Sequence, residues 1–467
     1  MRENLMNKRE LVTKFVSFFV LLIILLLLLW IVIPSGYVSR HNWLVMTTFL
    51  INGVLWTFLL LYELGKHPYS FSVIHWTFFL LFFFFAAIVQ YMNNHFPWVG
   101  YRSDDALIDT NLILMLWTVG VIIGQYTKIS AVEHQSKVKE KLGCNLECNQ
   151  TLILVVITIV IALIRIKTVG FANLLSRGTS SYSASENGSI SMLVEKCMQA
   201  TSYFSTAIVI LAYRKRKCSI GALIVGMGCL LVAYPPTGIA RYAAAAIYFG
   251  LLLTFSEKLK KRNIFIFILL GAFSFVLPVL NVFRHLAFDQ VDLSSALKNV
   301  TDNFSTMWLA GDYDAYTMLT LAMDYVSTRG ITWMKQLIGV IFFWMPRAIW
   351  KNKPVGSGYF IAEQLGWSFK NLSCPLPGEA YINLGFIGVL LFAILIGKIM
   401  RFLDNCYWYR DNDEDRRIDV LYPVIMMLFF FMCRGDLLSS AAYMVAYIVV
   451  GYIMCSANKT NKTNKTN

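Results

Sequence analysis

The sequence predicts an all-α polytopic membrane protein with about twelve transmembrane helices, from its composition, its apolar runs and the placement of its charges. Hydrophobic residues make up 57% of the 467 residues, charged residues only 15%, and the mean hydropathy is +0.59. In a typical soluble domain, about a quarter of the residues are charged. The apolar residues form long runs, which must be helical because lipid cannot satisfy free backbone groups.

Twelve apolar runs are expected to span the membrane, since about 20 apolar residues cross a hydrocarbon core of about 30 Å. These runs cover residues 15–33, 44–62, 73–92, 107–127, 150–166, 191–213, 219–234, 240–255, 263–281, 383–400, 418–433 and 437–455. The first run follows a basic start, but it is too long for the apolar part of a signal peptide. We therefore expect it to be a retained helix.

The basic residues indicate which side of the membrane is the inner side. They cluster in short connections such as Arg214–Lys217, and short cytoplasmic loops are enriched in Lys and Arg. This pattern predicts that both termini are inside. The chain would then comprise a membrane domain with helices 1 to 9 (residues 1–281), a large, partly helical periplasmic loop between helices 9 and 10 (282–382), a membrane domain with helices 10 to 12 (383–457) and a disordered tail (458–467).

Composition and charge placement exclude several classes of function. The net charge of +14 does not indicate a nucleic-acid partner, because the basic residues lie at the ends of the apolar runs. Charge is nearly absent from the middles of the spans, which disfavours an ion-coupled transporter. The nine cysteines are scattered, so no disulfide framework is implied. Cys144 and Cys148 lie near His134 without a second ligand pair, and we expect no metal.

The loop at 282–382 contains a basic stretch and a short apolar one. Between Asp324 and Glu363 there is no acidic residue, but there are Arg329, Lys335, Arg347, Lys351 and Lys353. Such a patch suits a phosphate or pyrophosphate, because Arg binds phosphate oxygens in bidentate fashion and Lys adds point charge. Lipid head-group anchoring is the alternative interpretation. The apolar residues 336–345 are too few to span and are expected to form a re-entrant or interfacial element.

Further polar and aromatic residues near the outer ends of the spans are candidates for a site. Additional arginines are Arg102, Arg177, Arg241, Arg284 and Arg434, and candidate general bases are Asp312, Asp314, Asp324, Glu379 and His285. If residues 304–326 form an amphipathic helix, Asp312 and Asp314 do not share a face and cannot act as a carboxylate pair. Trp350, between two basic residues, is the loop tryptophan best placed to stack on a sugar, whereas the others are expected in an interfacial belt.

Residues 341–385 read IFFWMPRAIWKNKPVGSGYFIAEQLGWSFKNLSCPLPGEAYINLG, and this stretch resembles the Wzy-type oligosaccharide repeat-unit polymerases of O-antigen and capsule synthesis. The matching residues are Pro346-Arg347, Trp350, Lys353-Pro354, Gly356-Ser357-Gly358, Asn371-Leu372-Ser373 and the run from Glu379 to Gly385. Residues 70–91, 96–98 and 278–284 and the pair Arg434-Gly435 are also similar to that family. Ala348 and Asn352 depart from the Ser and Pro that the family pattern leads us to expect.

The resemblance implies a glycosyltransferase of the bacterial inner membrane whose active site faces the periplasm. Its substrate would be an oligosaccharide linked to undecaprenyl pyrophosphate. The growing glycan would pass from one lipid carrier to the non-reducing end of a new repeat unit. No cofactor is implied, and a flippase and a chain-length regulator would be its partners beside the membrane lipids.

The resemblance also implies roles for individual residues. The charge of the leaving lipid pyrophosphate would be stabilised by Arg347, Lys351, Lys353, Arg284, Arg241 and Arg434. Glu379 is the first candidate for the base that deprotonates the acceptor hydroxyl, with Asp312 and His285 in reserve. Contacts to the sugar would come from Trp350, Asn371 and Tyr381.

Two other functions remain open from the sequence. A ligase that moves the finished glycan onto a lipid core or a protein would share the topology and the basic outer loop. A lipid-linked oligosaccharide flippase should instead have short loops throughout, two repeated halves and charges lining a central cavity. The long loop late in the chain and the lack of a visible repeat favour a polymerase.

Overall fold

The computed structural model describes residues 42–127, 148–175, 188–272, 306–409 and 417–456, together with Ser294, Lys298 and Asp302. Within these ranges the regular structure is helical, apart from an isolated bridge between Phe96 and Gly100. The predicted first span at 15–33 and the predicted disordered tail at 458–467 lie outside the described residues.

The helices follow the predicted apolar runs closely. They are α1 (Trp43–Lys66), α2 (Phe71–Met92), α3 (Asp104–Tyr126), α4 (Cys148–Val169), α5 (Gly188–Arg214), α6 (Ile220–Ala233), α7 (Arg241–Phe255), α8 (Arg262–Gly271), α9 (Ala315–Arg329), α10 (Lys335–Ile341), α11 (Ser357–Gln364), α12 (Leu376–Trp408), α13 (Arg417–Arg434) and α14 (Leu437–Ser456). Short 3-10 turns lie at Glu257–Lys260, Met307–Leu309 and Gly311–Tyr313, and a helical turn lies at Phe171–Leu174.

Six of the described helices are long and apolar enough to cross a membrane, namely α1, α2, α3, α4, α12 and α14. Helices α6 and α7 are apolar but shorter. The prediction of a helical, multi-pass membrane protein is thus supported. The count of twelve spans and the inside position of both termini stay predictions.

Helix α2 lies at the centre of one group of helices. Its most apolar stretch is entirely buried, as expected for a helix that is hydrophobic all round. The segment Phe79–Phe85 is π-helical, and the rings of Phe78 and Phe82 stack 4.6 Å apart. Helices α1, α12 and α13 pack against α2, while α4, α5, α6 and α14 form a second group that joins it through α7 and α13.

Helices α3 and α12 make a close contact through small residues. A Cβ at Gly124 would lie 2.2 Å from the carbonyl oxygen of Ile394, and one at Gly397 would lie 2.4 Å from that of Val121. Small residues let two backbones approach closely, which is the usual basis of helix association in lipid.

Helix α12 begins earlier than the sequence indicates. The predicted span starts at residue 383, whereas the helix starts at Leu376 and changes direction at Gly385, whose φ is +61°. The sequence prediction places Glu379 in the loop just before the span and Asn383 at the first position of the span. Both side chains are buried and hydrogen-bonded, so the helix can include them.

The segment between residues 306 and 375 is folded against the helix ends. The expected helix at 304–326 is instead two 3-10 turns followed by α9, which begins at Ala315 and packs on α12. The apolar stretch at 336–345 contains the short helix α10, which has seven residues and packs against α12 and α14. It is too short to span a bilayer, in keeping with the prediction.

Candidate functional site

A cavity of about 450 Å³ lies where α7, α13 and α14 meet the 306–375 segment. Its polar lining comprises Arg241, Asp312, Asp314, Asn371, Ser373, Arg434, Asp436 and Ser439. Its aromatic lining comprises Phe82, Trp98, Tyr242, Tyr313, Phe369, Phe430 and Phe431. Aromatic walls with a few convergent polar groups are typical of ligand-binding sites.

The first charged pair in the cavity joins Arg241 to Asp312. Arg241 is the first residue of α7, and Asp312 lies in the 3-10 turn at Gly311–Tyr313. The guanidinium donates from Nη1 to Oδ2 at 2.8 Å and from Nη2 to Oδ1 at 2.6 Å. The side chains keep 18% and 27% of their surface exposed, so this bidentate pair remains accessible from the cavity.

The second charged pair joins Arg434 to Asp314. Arg434 is the last residue of α13, and its Nη2 donates to Asp314 Oδ1 at 3.1 Å and to the Gly311 carbonyl at 2.9 Å. Asp314 is buried and also accepts from Ser373 Oγ at 2.8 Å and from Trp98 Nε1 at 3.0 Å. With three donors on one carboxylate, Asp314 fixes the positions of its neighbours.

Two further carboxyl groups lie near the start of α14. Asp436 directly precedes that helix, and Glu379 is in the first turn of α12. Asp436 lines the cavity, its Oδ1 accepts from the Ser439 amide at 3.0 Å, and burial raises its pKa. Glu379 lies behind the lining, fully buried, and accepts from Ser357 Oγ at 2.6 Å and from the Leu437 amide at 2.9 Å. Glu379 therefore joins α11, α12 and α14.

The basic segment Arg347–Lys353 does not line this cavity. Lys353 is buried, and its Nζ donates to the carbonyls of Phe343 at 2.5 Å and Met345 at 3.1 Å. Arg347 Nη1 donates to the Lys353 carbonyl at 2.9 Å. Burial, aided by the charge of Arg347, lowers the pKa of Lys353. In this arrangement both side chains bind backbone carbonyls and hold the segment in its folded form.

The sequence-predicted site residues separate into three groups. Arg241, Asp312, Asn371 and Arg434 line the cavity together. The residues of the second group do not line the cavity, and they are Glu379, Arg347, Lys351, Lys353, Trp350 and Tyr381. The nearest rings to Trp350 and Tyr381 are those of Phe342 and Phe386, at 6.5 and 5.3 Å. Arg284 and His285 lie outside the described residues.

Several cavity residues were not identified from the sequence as parts of a binding site, among them Trp98, Phe369, Ser373 and Asp436. Asp436 had a detectable signal, because it forms a tight connection between two apolar runs together with Arg434 and Gly435. The signals for Trp98 were its neighbours Phe96 and Pro97 and the similarity of residues 96–98 to the polymerase family, and they did not indicate a place in a binding site. Its partner Asp314 is 216 residues away in the chain.

Two arginines and three aspartates line the cavity beside aromatic rings, so it offers hydrogen-bond donors, acceptors and stacking surfaces. Within the described ranges, no group of three or more His, Cys, Asp or Glu side chains is arranged to hold a metal ion. Comparison of the chain with protein-family models, with curated proteins and with solved structures found no match. The chemistry of the cavity is therefore the basis for a functional proposal.

Proposed function

We propose that this chain is a membrane glycosyltransferase that polymerises lipid-pyrophosphate-linked oligosaccharide repeat units into O-antigen or capsular polysaccharide. The observation that carries the proposal is the cavity at the helix ends, where two arginine–aspartate pairs face aromatic walls. A substrate with a lipid tail, a pyrophosphate and a glycan needs this combination of apolar helices, cationic donors and aromatic surface. The resemblance of residues 341–385 to the Wzy-type polymerases supports the same assignment.

The two cavity arginines are suited to the pyrophosphate. Guanidinium groups bind phosphate oxygens through paired hydrogen bonds, and such contacts are strong in a partly desolvated cavity. Arg241 and Arg434 each contact an aspartate in the structure. In the proposed complex each turns part of its donor fork to the pyrophosphate, and each stabilises the negative charge that grows on the leaving group.

Asp312 is the stronger candidate for the general base. Asp314 is buried beneath three donors, whereas Asp312 retains 27% of its side-chain surface and faces the cavity beside Arg241. In the proposed step the acceptor hydroxyl oxygen bonds to the anomeric carbon as the bond from that carbon to the pyrophosphate breaks. The hydroxyl proton passes to Asp312, and the electron pair leaves with the lipid pyrophosphate.

This assignment changes the roles expected of the 341–385 segment. Glu379 joins three helices behind the cavity, so we propose that it positions Asp436 and the start of α14. Arg347 and Lys353 are proposed to maintain the fold of their own segment. Lys351, which is exposed, is proposed to contact phosphate at the membrane surface.

The proposed membrane arrangement is that of the sequence prediction. The chain would cross a bacterial inner membrane about twelve times with both termini inside, and the cavity would open on the periplasmic side. The lipid-linked substrate would arrive from a flippase, and a chain-length regulator would act on the product. These partners follow from the resemblance to the polymerase family.

The genetic test is a gel of surface glycans and extracted lipid carriers from a strain that lacks the gene. Single repeat units on the surface, restored to a ladder by complementation, are the result expected for a polymerase. Full-length polymer retained on its lipid carrier would overturn the proposal in favour of a ligase. Repeat units trapped on the inner leaflet would overturn it in favour of a flippase.

A further inference from the structure

Trp98 and Phe369 form a stacked aromatic pair at the edge of the cavity. Their ring centroids are 5.4 Å apart with an interplanar angle of 28°. Both residues line the cavity, yet 43% of Trp98 and 45% of Phe369 is exposed. Accessible aromatic surface that lines a cavity with polar groups is suited to stacking on a ligand.

The position of Trp98 is fixed by contacts that leave part of its ring accessible. Its φ is +72°, a left-handed conformation that is unfavourable for a non-glycine residue. The indole N–H donates to Asp314 Oδ2 at 3.0 Å, and Gly311 packs so closely that a Cβ there would lie 2.2 Å from the indole ring. Strain of this kind persists where the surroundings hold it, and it clusters at ligand sites.

The second ring is held by its own segment. Lys370, next to Phe369, donates to Glu363 at 3.0 Å, and Ser373 donates to Asp314 at 2.8 Å. Asn371 lies between these two anchors and also lines the cavity. A residue with a neutral amide side chain therefore belongs to the same part of the cavity lining as the two rings.

A single carboxylate connects the aromatic pair to the charged part of the cavity. Asp314 accepts from Trp98 through Oδ2 and from Arg434 through Oδ1. Only the carboxylate of Asp314 therefore separates the indole of Trp98 from the guanidinium of Arg434, which would bind the pyrophosphate. A group bound on the rings would be close to a phosphate bound at Arg434.

We propose that Trp98 and Phe369 form a sugar-binding subsite for the ring nearest the pyrophosphate. A pyranose has a C–H face that packs on an aromatic ring and a rim of hydroxyls that suits the amide of Asn371. An acyl or prenyl chain could not form hydrogen bonds with the amide of Asn371, and a bare phosphate could not stack on the rings. This inference rests on the proposed function, and it assigns the sugar contact to Trp98 and Phe369 rather than to Trp350 and Tyr381.

The test measures binding of the repeat-unit oligosaccharide to the purified full chain in nanodiscs. The oligosaccharide is released by mild acid from lipid carriers of the deletion strain, or by partial hydrolysis of the surface polysaccharide. We expect Trp98→Ala and Phe369→Ala to weaken binding about tenfold or more, because each removes a stacking surface. Trp98→Phe should bind more tightly than Trp98→Ala, because it keeps a ring.

Trp333→Ala is the matched control. Trp333 also has a positive φ, +51°, and is 76% exposed, but it does not line the cavity. Unchanged binding by the Phe369→Ala variant, or an equal loss in the control, would overturn the subsite. If Trp98→Ala lowers the unfolding temperature, Phe369→Ala decides alone. The glycan gel of the deletion strain tests the polymerase separately, so a ladder that depends on the gene would stand even if the subsite failed.

Discussion

At the scale of single residues, the two aspartates of the cavity differ although they are two positions apart. Asp312 contacts Arg241 and keeps part of its surface exposed, whereas Asp314 is buried under three hydrogen-bond donors. A carboxylate that takes a proton must be accessible to the acceptor hydroxyl of the substrate. One that fixes the positions of its neighbours must instead have its hydrogen-bonding capacity filled. We therefore assign chemistry to Asp312 and positioning to Asp314.

This difference predicts distinct effects of the two isosteric substitutions. Asp312→Asn should lower the polymerisation rate by about 10²-fold or more, because the amide cannot take the proton. It should destabilise the fold less than Asp314→Asn, because Asp312 is partly exposed whereas Asp314 is buried under three donors. Asp314→Asn should destabilise the fold by about 3 kcal/mol, because it leaves the Arg434 charge without its carboxylate. Thermal unfolding in detergent and glycan gels of complemented cells measure both. Equal activity of Asp312→Asn and the wild type would exclude Asp312 as the base.

The residue types of the site could be predicted from sequence, but their pairing could not. Arg241 and Arg434 are candidates because they lie at the ends of apolar runs, Asp312 because it is a carboxylate of the outer loop, and Asn371 because of the resemblance; all four line the cavity. The Arg347–Lys353 segment is a candidate because it lacks acidic residues, yet Arg347 and Lys353 donate to backbone carbonyls of residues 343–353. The density of basic residues in a sequence does not show whether their side chains donate hydrogen bonds to a ligand or to the protein's own backbone carbonyls.

At the scale of elements, the apolar runs and their lengths located most of the described long helices, but not α9 to α11. Helix α12 begins seven residues before the predicted span, and Glu379 can lie within the added turns because its carboxylate accepts two hydrogen bonds inside the fold. Hydropathy counts such residues as polar whether or not they have partners. The close contact between α3 and α12 was likewise invisible without the backbone, although the glycines that permit it are in the sequence.

This contact predicts a strong effect of added volume at Gly124. Gly124→Val places a Cβ 2.2 Å from the Ile394 carbonyl, so the two helices must separate, at a cost of about 1–3 kcal/mol or more. Gly228→Val in α6 is the control, since its Cβ position has nothing within 4 Å. Thermal unfolding of both variants in the same detergent is the measurement. An unfolding temperature for Gly124→Val equal to that of the control would show that α3 and α12 do not pack as described.

The segment around α10 exposes an apolar surface that suits the membrane interface. Ile341 is 63% exposed, Trp344 54% and Ile349 75%, next to the basic residues Arg347 and Lys351. Aromatic and branched side chains flanked by cations are typical of interfacial elements.

A spin label at position 349 tests this interfacial placement. The chain would have its nine cysteines replaced and would carry Ile349→Cys in nanodiscs. We expect the label to be more accessible to dissolved oxygen than to a water-soluble nickel chelate, because oxygen partitions into lipid. A label at Thr328, which lies near an exposed helix end in α9, gives the aqueous reference. Equal nickel accessibility at both positions would mean that the segment lies in water.

At the scale of the whole molecule, the candidate site exists only because distant segments meet. Trp98, Arg241, Asp312, Asn371 and Arg434 come from five separate stretches of the chain and enclose one cavity. A single sequence carries the helices and the residue types, but not which helix ends meet. The class of protein could therefore be predicted, whereas the arrangement of the cavity required the structure.

The most direct measurement is polymerisation by the purified chain in nanodiscs supplied only with lipid-pyrophosphate-linked repeat units. We expect a glycan ladder from the wild type without any nucleotide sugar. Arg241→Ala and Arg434→Ala should each lower the rate by about 10²- to 10³-fold, because each removes a donor from the leaving pyrophosphate. The control Arg329→Ala, whose guanidinium contacts Gln364 away from the cavity, should keep the wild-type rate. No ladder from the wild type, or a ladder of equal rate from both cavity variants, would contradict the account.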